Sequence, residues 1–211
     1  MSIQVSARRR REVVDALRRG TVPSQGLDLL AVGLDRFSTA LDEELDTVAG
    51  GGAVFKAVRG EYGSGKTFFA RHLAERAVRR GFATAEVQIS ETETPLHRLE
   101  TVYRRITESL RTASAAPSAF RPVLDSWLFN VEEEALAADP SLGDSIDRLG
   151  EAVDRLLEQR LASVSSRAPA FALALRGYRR AVTAHDTPTA DALAAWLSGQ
   201  PHIAAAAKRA A

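Results

Sequence analysis

The chain contains no cysteine. That excludes a disulfide framework and any thiolate metal site, and it fits a reducing, cytoplasmic setting. Four scattered histidines leave a transition-metal centre few ligands to draw on. An excess of charge of one sign is missing too. Lys and Arg number 28, Asp and Glu 27, and the formal net charge is +1. No global field therefore pulls the molecule onto nucleic acid or an anionic membrane, and only local patches can do so. No run of eighteen apolar residues occurs, so no membrane span is expected. Residues 1–5 run straight into arginines without the apolar stretch of a secretory signal. Lysine itself is scarce: of the 28 basic residues only Lys56, Lys66 and Lys208 are lysine. Such Ala- and Arg-rich usage is that of a GC-rich bacterial genome. What remains, 45% hydrophobic and 26% charged over 211 residues, is an ordinary globular composition with room for one large domain or one and a half small ones.

Against that background, Gly60-Glu61-Tyr62-Gly63-Ser64-Gly65-Lys66-Thr67 fits the pattern G-x-x-x-x-G-K-[ST] at every fixed position. The end of a nucleoside triphosphate is a crowded run of anionic oxygens. Binding it needs inward-turned backbone N–H groups, and only small residues let the backbone come so close. Lys66 then supplies a point charge for the β- and γ-phosphates, and the Thr67 hydroxyl a ligand for Mg²⁺. The following helix adds its N-terminal dipole. By chance, four fixed positions coincide in roughly one chain in a hundred of this length. One of only three lysines falls on the position where a compact ammonium suits a phosphate cradle.

The flanks match this reading. Residues 53–59 (Ala-Val-Phe-Lys-Ala-Val-Arg) are a short apolar run after a glycine triplet and read as a buried strand. Phe68, Phe69, Leu73, Ala77 and Val78 recur at helical spacing until Gly81. Residues 82–90 alternate like a strand at a sheet edge, which makes one βαβ unit with a right-handed crossover. The expected fold class is α/β: the incomplete parallel-sheet start of an AAA-type P-loop NTPase, followed by an all-α segment. Residues 1–31 form a basic helix and linker, 32–112 the nucleotide-binding α/β portion, and 113–211 a helical insertion. In the first helix, capped by Ser6, Val13, Val14 and Leu17 form a narrow stripe opposite Arg8, Arg9, Arg10, Arg11, Arg18 and Arg19. That cluster is either a solvated face or a contact for DNA or an acidic partner. Leu30-Ala31-Val32-Gly33 sits where related ATPases pack a segment on adenine, so Val32 and Gly33 join the nucleotide-site candidates; a core-packing turn is the alternative. Beyond residue 113, apolar periodicity gives helices over 146–161, 168–184, 188–199 and from 201 onward.

A magnesium-binding acid at the end of a further apolar strand has no candidate downstream of Lys66. Asp125 has too short an apolar lead, between prolines. The expectation is a chain cut before that strand, with an intact but degenerate nucleotide binder as the rival. Glu91 and Glu93 remain candidate catalytic carboxylates, against a reading as solvated loop acids. His72 is expected to be exposed, and Trp127 and Trp196 to anchor a core.

Taken together, Gly20-Thr21-Val22-Pro23, residues 26–33, residues 58–67, Ala85-Glu86-Val87 and Pro95-Leu96-His97 resemble the BrxD-like family of ATP-binding proteins from bacteriophage-exclusion (BREX) systems. The likeness is carried by residues 10 to 110; the helical remainder matches in character. The resemblance implies an origin-recognition-like ATPase using ATP or ADP and Mg²⁺, with Lys66 and Thr67 as phosphate and metal residues. It also implies anti-phage defence, DNA and other BREX components as partners, and a homo-oligomer when full length. The family's acidic motif, sensor and arginine finger have no counterpart here. An ATPase module that remodels DNA or a partner, and a nucleotide-gated scaffold without turnover, both stay open.

Overall fold

The computed structural model describes residues 6–23 and 26–200; the helix expected from residue 201 onward lies outside them. The backbone divides into two compact units, one up to Thr84 and one from Ala85.

In the first unit, helix α1 (Ala7–Arg18) begins where Ser6 accepts the Arg9 N–H at 3.3 Å. Gly20, with φ of 67°, turns the chain out of it. A single 3₁₀ turn, Leu27–Leu29, follows, and it buries Leu27 completely. Helix α2 (Asp35–Ala49) buries Leu41 and Leu45 and stops at the glycine triplet. Helix α3 (Lys66–Arg79) starts at the lysine of the glycine loop and ends before Gly81, which has φ of 86°.

The second unit carries α4 (Leu99–Ser109), α5 (Phe120–Ala138), a 3₁₀ turn at Pro140–Asp144, α6 (Ile146–Arg167), α7 (Pro169–Thr183) and α8 (Thr187–Leu197). Ser145 caps α6 by accepting the Arg148 N–H, and Asp186 caps α8 by accepting the Thr189 N–H. Prolines in the first turns of α7 and α8 stand where no helical N–H partner is needed. Leu128, Val131, Leu157, Leu175, Tyr178 and Leu193 meet in one apolar core, with Trp127 and Trp196 against it. α4 is tied to the end of α8 by side chains: the Tyr103 hydroxyl donates to Leu197 O at 2.6 Å, and Thr107 Oγ1 to Ser198 O at 2.6 Å.

The α/β expectation is wrong. No strand and no sheet occur among the described residues; the elements are helical, with single bridge residues at Thr84 and Arg111. Residues 53–60 are irregular and each of them is exposed, Phe55 at 93%. A strand is stable only when a neighbour takes up its N–H and C=O groups. An apolar run signals a demand for burial, but it does not supply the partner that would meet it. No described helix is long and apolar enough to cross a membrane.

Candidate functional site

The loop at residues 60–67 is shaped by its glycines. Gly63 (φ 79°) and Gly65 (φ 88°) take left-handed conformations that a side chain would strain. Gly60 matters for a different reason: a Cβ there would lie 2.5 Å from Ser64 Oγ, so any other residue would force the Ser64 side chain to move. The Ser64 N–H donates to Glu61 O at 3.2 Å, and the Phe69 N–H to Gly65 O at 2.9 Å. The first N–H groups of α3 therefore emerge directly from the loop. They have no carbonyl partner within the helix and sit at its positive end.

Lys66 holds this shape. Its ammonium donates to Gly60 O at 2.8 Å and to Glu61 O at 2.7 Å. An ammonium has three donors, so Lys66 can brace the loop with two and offer the third to an anion. Thr67 is exposed in the first turn of α3, and Glu61 and Tyr62 are exposed beside it.

A cleft of about 700 Å³ opens beside the loop. Gly60, Ser64, Gly65 and Lys66 form one side, with Phe68 and Phe69 behind them. Leu30, Val32, Leu34 and Phe37 form an apolar wall, and Arg36 and residues 56–59 complete the lining. Every charged lining residue is a cation. Arg36 lies over the Phe37 ring at 4.6 Å, and Phe37 meets Phe69 edge-on at 6.1 Å. Both the volume and the pairing of apolar wall with polar loop suit a nucleotide-sized ligand. Val32 is thus brought beside the loop; Gly33, next to it with φ of 75°, is not among the lining residues.

Behind the loop, α3 is tethered by charge. Arg76 pairs with Asp42 of α2 through both guanidinium arms, and Arg80 with Asp42 and Asp46. The Arg76 hydrogen bonds are the main reason the Asp42 carboxyl stays ionised to lower pH than an ordinary aspartate. Arg71 donates to Val22 O at 2.9 Å. The Glu75 carboxylate accepts the Gly26 N–H at 3.2 Å and the Leu27 N–H at 3.1 Å, and Arg9 of α1 reaches both Asp28 and Glu75. His72 is buried, not exposed as expected. It stacks on Phe68, its Nδ1 has no hydrogen-bond partner among the described residues, and burial first, then the nearby Arg79, holds its pKa below the usual histidine value. The sequence reading missed Glu75 and Asp42 altogether. The available signal was the stripe Phe68, His72, Glu75 and Arg79, which runs along one side of α3.

Glu91 and Glu93 belong to the second unit. They lie in a turn where Ser90 Oγ accepts the Glu93 N–H at 3.0 Å, and both are exposed. Asp125 accepts the Tyr178 hydroxyl, and burial with that bond pushes the Tyr178 pKa up to about 12.

Glycines in left-handed conformations, a braced lysine at a helix start and a cleft without carboxylates suit an anionic ligand with an apolar body. Nucleoside phosphates are such ligands, and these residues fit one. The chain belongs to the BrxC/D family of BREX system ATP-binding proteins, whose family model matches residues 5–211. It is accordingly a nucleotide-binding component of a BREX anti-phage system. No curated protein and no solved structure matches the chain.

Proposed function

We propose that this chain binds ATP or ADP with Mg²⁺ at residues 60–67. The observation that carries the reading is Lys66, braced on the Gly60 and Glu61 carbonyls at the edge of a cleft whose charged lining residues are all cations. Backbone N–H groups of Glu61 to Thr67 would receive the phosphates, Lys66 their charge, and Thr67 would ligand the metal. Val32 and Gly33, with the apolar wall, would take the base. Bound ATP supplies the phosphoanhydride whose cleavage can drive work; the residues here bind and orient it.

Within the family we assign the chain to the BrxD type, on the Gly-Glu-Tyr-Gly-Ser-Gly-Lys-Thr form of its loop. Nucleotide binding is coupled to remodelling of DNA or of another BREX component in the cytoplasm, by several copies acting together. Glu91 and Glu93 are the carboxylates to test for hydrolysis, by Glu→Gln replacement. A nucleotide-gated scaffold is the second reading. It is favoured by the exposed Leu96, Leu99 and Ile106 on and beside α4, which suit a protein partner.

Titration of a fluorescent ATP analogue into the wild type and Lys66→Ala, with and without Mg²⁺, tests the site. A charge-assisted phosphate contact is worth about 1.5–3 kcal/mol, so the variant should bind about 10- to 150-fold more weakly. Equal affinities would remove the assignment.

A further inference from the structure

The cleft has two sides that come from different parts of the first unit. The loop side is carried by α3. The apolar wall, Leu30, Val32 and Leu34, is carried by the segment that begins with the 3₁₀ turn at Leu27–Leu29. The buried end of that segment is joined to α3 through one carboxylate. Glu75, whose side chain is only 15% exposed, accepts the N–H groups of Gly26, which caps the turn, and of Leu27, its first residue. An ionised acceptor at the start of a helical turn meets both the unpaired N–H groups and the positive end of the local dipole. Arg9 and Arg79 hold that carboxylate and Asp28 from the other side. Gly26 permits the approach. It has φ of 78°, and a Cβ there would sit 2.9 Å from Val13 Cγ2 and 3.3 Å from Arg9 Nε.

We propose that Glu75 is a positioning residue for the base-binding wall: it fixes the 26–34 segment against α3 and so sets the width of the cleft between wall and phosphate loop. The proposal rests on the nucleotide reading above. Glu75 does not itself line the cleft, so its effect travels through the wall. Loss of the tether should cost a ligand that has a base and spare one that is phosphate alone.

The test compares Mg²⁺–ATP with Mg²⁺–tripolyphosphate, each competing with the fluorescent ATP analogue on the full chain. Glu75→Gln removes the charge and places an amide donor against N–H donors. It should weaken ATP about tenfold, the worth of one charge-assisted hydrogen bond, and leave tripolyphosphate within about twofold. Gly26→Ala displaces the same turn without touching Glu75 and should give the same split. Lys66→Ala should weaken both ligands. Amide exchange without ligand should rise at residues 26–34 in Glu75→Gln and stay unchanged at the start of α3. Equal losses for both ligands, an unchanged ATP affinity, or unchanged exchange at 26–34 would each overturn the role of Glu75. A wild type that binds ATP, with Lys66→Ala unaffected, would instead overturn the assignment of the loop.

Discussion

From Leu124 to Leu197, α5 to α8 meet through Leu, Val, Ala and one fully buried tyrosine. Around α3 the contacts are Arg76 with Asp42, Arg80 with Asp46, Arg9 with Asp28, and Glu75 with two backbone N–H groups. Buried apolar residues are sparse there: Val13 and Ala16 on α1, Leu27, Leu41 and Leu45, and Ala77 on α3 itself. The two kinds of contact do different work. Apolar burial is strong and non-directional, so it stabilises a bundle. Exposed ion pairs contribute little stability but are directional, so they orient. A helix whose first turn must stay open for a ligand cannot be buried at that end, and it is oriented from behind. Binding loops are commonly drawn from the less stable parts of a fold for this reason.

The largest effect is expected in the bundle. Leu157 and Leu193 are each 1% exposed. Replacing either by alanine should cost about 2–5 kcal/mol of unfolding free energy. Both tryptophans, Trp127 and Trp196, belong to the second unit, so their fluorescence in a urea titration reads that unit alone. Affinity for the ATP analogue in the absence of urea should change less than about twofold, because the site lies in the other unit. A cost under about 1 kcal/mol would mean that the apolar core does not carry the bundle.

A smaller effect is expected at His72, the one buried titratable group on α3. Burial and the cations Arg79 and Arg76 oppose its protonation, while Glu75 and Asp28 favour it, and the net shift is downward. The unfolded chain therefore binds a proton more readily than the folded one. Stability from this residue is present above the unfolded value near pH 6.5 and is lost as pH falls through the lower folded value. Amide exchange of α3 should accordingly quicken between about pH 7 and pH 5, after correction for the intrinsic pH dependence. His72→Phe keeps the stacking partner for Phe68 and should flatten that dependence. An unchanged slope would show that the protonation of His72 is not linked to the stability of α3.

Legibility in the sequence followed the same division. Helix starts and stops with local chemistry were readable: Ser6 before α1 and Gly81 after α3. So was the loop, because its glycines and lysine are constrained within eight consecutive residues. The acidic run at 132–134 is mid-helix, since Leu124, Leu128, Val131 and Ala135 keep one face of α5 buried through it. The strands expected at 53–59 and 82–90 are absent because a strand is a relation between segments, and a single segment shows only its apolar half. Glu75 escapes notice for a related reason. It is polar on a helix and becomes informative only through Gly26 and Leu27, which are far away in sequence.

The smallest effect is expected on the outer face of α1, where the arginines divide. Arg9 is turned inward to Asp28 and Glu75, and it cannot serve an external partner without releasing that tether. Arg8 pairs with Glu12 and Arg18 with Asp15. Arg10, Arg11 and Arg19 are exposed and form no ion pair among the described residues. Arg10 and Arg11 are the fourth and fifth residues of α1, at the edge of the first turn over which the helix dipole acts, so the dipole gives arginine no advantage there. Folding alone therefore does not favour arginine at these two positions. Arg10→Glu with Arg11→Glu should change the melting temperature by no more than the equivalent of about 0.5 kcal/mol, and upward if at all. If the arginines face DNA or an acidic partner, the same double variant should lose retention on duplex DNA, and the loss should shrink as salt is raised, because each released counterion gains less free energy in concentrated salt. Retention identical to wild type at low and high salt would make this face a solvated surface, with Arg9 the one arginine of the run at residues 8–11 that is turned onto Asp28 and Glu75.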